Sequence, residues 1–178
     1  MITHPVKRLI AATALFTLAM PALAGPEAFQ PGTVVPDYGK VAMIEGAELP
    51  ADTVMKVAFD IGKAGPEDTF SRSLETPARF LNMHAAAGVD PANLHVAMIV
   101  HGAASADLLT DEARGAPNPN AGLIAELLAA GATIELCGQT AAMRDITQED
   151  LLPGVTIGLS AMSTHALLQQ QGYTLNPF

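Results

Sequence analysis

The sequence predicts a three-layer α/β/α sandwich on a mostly parallel sheet of about five strands. Two observations carry this. Apolar runs of strand length alternate with helical segments in the order β-α-β-(loop)-α-β-α-β-α-β, which implies a parallel sheet between helical layers. The run Leu94–Val100 is apolar on both faces through its centre, as expected of a strand covered on two sides. The 178 residues are 49% hydrophobic, which suits one domain with a substantial core and excludes a disordered chain.

Residues 1–24 read as a secretory leader. Lys7 and Arg8 form its charged region, Leu9–Met20 is an apolar run too short for a comfortable membrane span, and Ala22 and Ala24 are the small residues of a cleavage site. Cleavage after Ala24 is expected; an uncleaved amino-terminal anchor is the competing reading. Residues 1–24 hold two basic residues and no acid, so their loss takes the formal charge from −9 to −11. The mature protein is thus expected to be acidic and periplasmic, with no membrane attachment. Its acidity argues against nucleic acid as a partner.

Residues 25–52 carry Pro26, Pro31, Pro36 and Pro50, which prevent a long helix. They read as an extended arm, with Tyr38–Ile44 as an edge strand or docking segment, or else as a tail. The domain proper is expected over residues 53–178. Thr53–Ile61 is its first strand, ended by Gly62, Gly65 and Pro66. Ser73–Ala87 has helical spacing in Leu74, Ala78, Leu81 and Ala85, with Pro77 expected in the first turn.

The second strand ends at His101. A long connection, residues 103–120, follows with one expected turn at Ser105–Leu109; loops of this length often serve as lids or binding loops. Asn120 is suited to cap the helix Ala121–Ala130, and Gly131 to stop it. Ala132–Cys137 is the third strand and runs into a short helix over Gln139–Asp145. Thr147 is the expected cap of the next turn. Val155–Ala161 alternates as a fourth strand, Ser163 can cap a last helix ending near Gln171, and Tyr173–Leu175 can add a final strand.

Cys137 is the only cysteine, so no intramolecular disulfide is possible. Open α/β sheets bind ligands beyond the carboxyl ends of their strands, which is where Cys137 and His101 both fall. A nearby imidazolium, or the amino end of the helix after Gly138, would favour thiolate over thiol. A buried structural cysteine and a capping or core histidine are the bland alternatives. Ser160 reads as an ordinary strand-end hydroxyl, with a place at the same edge as the other option. No dinucleotide fingerprint or P-loop is present. His84, His95, His101 and His165 lack the spacing of a zinc pair, and no third residue orients a His101–Cys137 hydrolase dyad. No cofactor or metal is expected.

Several segments together resemble the DsrE/DsrF-like family, whose fold is often named after YchN: Val100-His101-Gly102, Asn118-Pro119-Asn120, Leu136-Cys137-Gly138-Gln139-Thr140, Asp150-Leu151-Leu152-Pro153-Gly154-Val155 and Gln171-Gly172-Tyr173. The resemblance covers about residues 53–175. It implies a small α/β protein assembling as a homo-oligomer, a trimer or hexamer, and a sulfur relay in which Cys137 carries sulfane sulfur as a persulfide. A sulfur donor or acceptor protein would be its partner, and the activity that of a carrier or sulfurtransferase. The best-known relays of the family are cytoplasmic, whereas this chain carries an export signal. The alternative is a non-catalytic oligomer of the same fold that binds a small ligand or partner in the same crevice.

Overall fold

The computed structural model describes residues 25–176, so the expected leader lies outside them. Five strands, β1 (Met55–Ile61), β2 (Leu94–Val100), β3 (Thr133–Cys137), β4 (Thr156–Gly158) and β5 (Thr174–Asn176), form one sheet in the order β4-β3-β2-β1-β5. All four pairings are parallel. The helices are α1 (Arg72–Ala86), α2 (Asp111–Arg114), α3 (Ala121–Ala129), α4 (Gly138–Arg144) and α5 (Ala161–Gln170). Among the described residues no helix is long and apolar enough to cross a membrane.

Strand alternation divides the sheet into two unlike faces. Val57, Phe59 and Ile61 of β1, Val96, Met98 and Val100 of β2, and Ile134 and Leu136 of β3 enter the main core. Leu74, Ala78 and Leu81 of α1 and Leu123, Ile124 and Leu127 of α3 pack there with them. The intervening positions face α5. Only Ala58, Ala97 and Ile99 form a small apolar cluster on that side, joined by Ala161, Leu168 and Tyr173. The other β1–β3 residues of that register are Lys56, Asp60, His95, Thr133, Glu135 and Cys137, with His101 continuing it. One face therefore holds the fold together and the other carries the polar chemistry.

Several elements differ locally from expectation. The fourth strand is three residues long because the chain leaves it at Ser160, whose Oγ accepts a hydrogen bond from the Ser163 N–H. That satisfies one of the orphan donors of a helix start, so α5 begins at Ala161 and Ser160, not Ser163, is its cap. Pro77 lies in the second turn of α1, where it lacks the N–H that would bond the Ser73 carbonyl; its ring is buried. Asn120 stands at the start of α3 but does not cap it. Its Oδ1 instead accepts from Ser71 N–H at 2.7 Å, and its side chain joins Asn118. Asn118 Nδ2 donates to the Asp107 and Leu109 carbonyls, drawing in the long connection. That connection is a 3-10 helix over Gly102–Leu108 followed by α2, with Ala104 and Leu108 fully buried. Thr147 caps as expected, in a reciprocal arrangement with Asp150.

The arm lies against its own domain. Val35 is fully buried in the main core. The Asn82 side chain on α1 accepts from the N–H groups of Val34 and Val35, and donates to the carbonyls of Val35, Tyr38 and Gly39. Tyr38 packs edge-on against Phe70 at 5.4 Å between ring centroids. Tyr38–Ile44 forms no strand of the sheet; its one ladder contact is an isolated antiparallel bridge between Gln30 and Val41.

Candidate functional site

Cys137 is the last residue of β3 and the residue from which α4 starts. Gly138 makes that turn possible, because a side-chain carbon there would collide with the Gly158 carbonyl. β4 thus closes up beside the thiol, and the chain returning from it places the first residue of α5 over the sulfur. Burial pushes the Cys137 thiol up. The backbone N–H groups of Ala161, Thr140 and Gln139 and the Thr140 hydroxyl outweigh it and hold the thiol below its ordinary range. Thr140 Oγ1 also accepts from the Gly102 N–H at 3.1 Å. A hydroxyl that accepts in this way keeps its own proton for the sulfur, so Thr140 links the end of β2 to the thiol.

His101 follows β2 and its ring lies over Gly62, where a Cβ would stand 2.6 Å from Cε1. Its Nε2 meets Asp60 Oδ2 at 3.2 Å. His165, on α5, brings its Nε2 to Asp60 Oδ1 at 2.8 Å. One carboxylate therefore holds two imidazoles. Burial raises the Asp60 carboxyl, but the hydrogen bonds and charges of His165 and His101 hold it below the usual carboxylate range. Its contribution to stability is present above the ordinary aspartate range and is lost as pH falls through the folded value.

These side chains share one shallow crevice of about 300 Å³, lined by Asp60, His101, Cys137, Thr140, Met162 and His165 among others. Cys137 forms part of its floor and is 7% exposed. The two residues singled out from sequence, Cys137 and His101, thus open onto one cavity. His101 is turned to Asp60, and the lowered thiol pKa comes from hydrogen bonds, three of them donated by backbone. Ser160 is at the rim, occupied as the cap of α5. His84 lies elsewhere, on α1, with Nδ1 against the Phe80 carbonyl.

Asp60, Thr140 and the Ala161 N–H were not found by sequence reasoning, and His165 was weighed there only as a metal ligand. Asp60 left a signal, a lone acid near the end of a mostly apolar strand. Thr140 lay within the segment quoted with the cysteine, without a role. For His165 and Ala161 the local sequence holds no signal, because only the return of α5 onto the sheet brings them near.

Residues 56–177 match the family model described as DsrE/DsrF-like family. The chain belongs to the DsrE/DsrF-like family. Among solved structures, the protein of unknown function MTH1491 from Methanobacterium thermoautotrophicum is 22% identical, with a TM-score of 0.55 over 70% of this chain and 99% of that one. The ychN protein of E. coli is 20% identical, with a TM-score of 0.47 over 70% of this chain and 100% of that one. The first of these likenesses is one of fold. A comparison with curated proteins finds no match.

Within the DsrE/DsrF-like domain the role given to Thr140 is open to measurement. Thr140→Val keeps the shape and removes the hydroxyl. A hydrogen bond to a charged group is worth about 1.5–3 kcal/mol, so the pH midpoint for alkylation of Cys137 should rise by roughly one unit. Thr140→Ser should restore it. An unchanged midpoint in the valine variant would leave the backbone donors alone responsible.

Proposed function

We propose that this protein handles sulfane sulfur, holding it as a persulfide on Cys137 in an exported setting. The observation that carries the reading is a single thiol lining a crevice beside Asp60, His101 and His165, with neighbouring N–H and hydroxyl groups that lower its pKa. Membership of the DsrE/DsrF-like family agrees with it. A thiolate is the nucleophile that attacks a sulfane sulfur, and a persulfide is among the reversible caps open to cysteine. The donors that favour a thiolate also suit the persulfide anion that replaces it. His101 stands at the mouth of the crevice, held by Asp60, where it can meet an incoming donor. The exported setting rests on the leader-like residues 1–24.

Intact mass spectrometry after incubation with inorganic polysulfide tests the reading. The native protein should gain the mass of one sulfur atom, reversibly by reductant, and Cys137→Ser should gain none. A native protein that takes up no sulfur, with its thiol alkylated only after unfolding, would leave Cys137 a core residue and put the ligand-binding module in front.

A homo-oligomer, a trimer or hexamer, is part of the proposal. Leu159, Met162 and Leu167, all more than half exposed, support it, since they leave apolar surface uncovered around α5. Light scattering should give a mass several times that of one chain; a monomer at micromolar concentration removes this part.

A further inference from the structure

The free polar atoms of the crevice are mostly acceptors, and that limits what the thiol can receive. The donors nearest Cys137, the N–H groups of Gln139, Thr140 and Ala161 and the Thr140 hydroxyl, act on the thiol and lower its pKa. The Gln139 amide nitrogen donates to the Leu159 carbonyl, and the Ser160 hydroxyl is paired with Ser163. What faces the cavity is acceptor-rich. The Asp60 carboxylate is 45% exposed even with both imidazoles against it. Because each imidazole gives Nε2 to that carboxylate, the Nδ1 of a neutral ring is left as an acceptor; that of His165 is buried, so His101 alone can offer it to the cavity. The thiolate is an acceptor as well.

The charge balance runs the same way. No lysine or arginine lines the crevice. The positive charge that His101 or His165 takes on when protonated is set against Asp60. Glu135 lies two residues before Cys137 on the same face of the sheet, its carboxylate bonded to the Thr164 hydroxyl of α5. A dianion entering here would meet a thiolate and Asp60, with no lysine or arginine in the lining to receive it. The lining also includes exposed apolar surface: Met162 is 80% exposed.

Resting on the persulfide reading above, we propose that the sulfur donor is a small organic persulfide, R–S–SH, whose R group carries an ammonium, and not thiosulfate. The ammonium binds Asp60, the carbon chain lies on Met162, and the terminal sulfur reaches Cys137. In the transfer the Cys137 thiolate attacks that terminal sulfur. The donor's S–S bond breaks, its electron pair leaves on R–S⁻, and Cys137 becomes Cys–S–SH. One negative charge enters the step and one leaves it, with no added oxidant or reductant. The cavity volume suits a donor of this size better than the surface of a folded partner.

The test compares loading rates of the purified protein, read by intact mass, for four donors: cysteine persulfide, the persulfide of 3-mercaptopropionate, thiosulfate and inorganic polysulfide. Cysteine persulfide should load Cys137 at least about tenfold faster than the mercaptopropionate compound, which lacks the ammonium, and thiosulfate should be slower still. Asp60→Asn should bring the two organic persulfides to within about threefold of each other. Thiosulfate loading as fast as cysteine persulfide, or equal rates for the two organic donors in the native protein, overturns the proposal while polysulfide loading leaves the persulfide reading standing. Failure of all four donors overturns both. The comparison on native protein decides the matter even if the Asp60 variant folds poorly.

Discussion

Gly138→Ala is expected to destabilise the protein by about 3 kcal/mol, at the upper end of what overpacking costs. The added methyl meets backbone, the Gly158 carbonyl, and not the movable end of a side chain. Either β4 must draw away from β3 or the start of α4 must turn outward. Both movements pull the Thr140 and Ala161 donors off the sulfur, so the alkylation midpoint of Cys137 should rise with the loss of stability. Urea unfolding and the pH profile of alkylation, measured on the same variant, check both. A stable variant with an unchanged profile would mean that the close approach of β4 does not shape the site.

The second large effect concerns the arm. Asn82→Ala removes a side chain that makes five hydrogen bonds to residues 34–39, and it leaves the buried N–H and carbonyl of Val35 without their partner. An unsatisfied buried polar group costs about 1–3 kcal/mol, so a loss of roughly 3 kcal/mol is expected for the pair. Asn82→Asp should also destabilise, because a carboxylate cannot donate to three carbonyls. Limited proteolysis should then cut the variant within residues 25–52 and spare the native chain. Equal resistance in both would show that Val35 and its apolar contacts hold the arm without the clasp.

The elements that sequence reasoning located best were those whose apolar pattern is local: β1, β2, β3, α1 and α3, all built on the main core face. The position of Cys137 was legible for the same reason, since a strand followed by Gly138 can be read without knowing its neighbours. Ser160 was misjudged because a serine ending a strand and a serine starting a helix look alike until the following N–H groups are placed. Asn82 carries no local signal, and the one at Asn120 pointed to a helix cap that it does not form. Each spends its amide on chain more than forty residues distant, Val35 for one and Ser71 for the other. The source of the lowered thiol pKa was half legible: the Gln139 and Thr140 donors follow Cys137 directly, whereas Ala161 comes from the far side of β4.

The pairing of β1 with β5 joins the domain's first strand to the last residues of the chain. Contacts of such sequence separation are the slow ones in folding, because loop-closure entropy must be met before they stabilise anything. α5 and β5 are also the elements that complete the crevice, through Ala161 and His165. A nascent chain that has formed β1 to β3 around α1 and α3 therefore has its hydrophobic nucleus but a thiol without its Ala161 donor. Full reactivity is acquired in the closing step of assembly, so during refolding the onset of rapid Cys137 alkylation at neutral pH should trail the burial of the core.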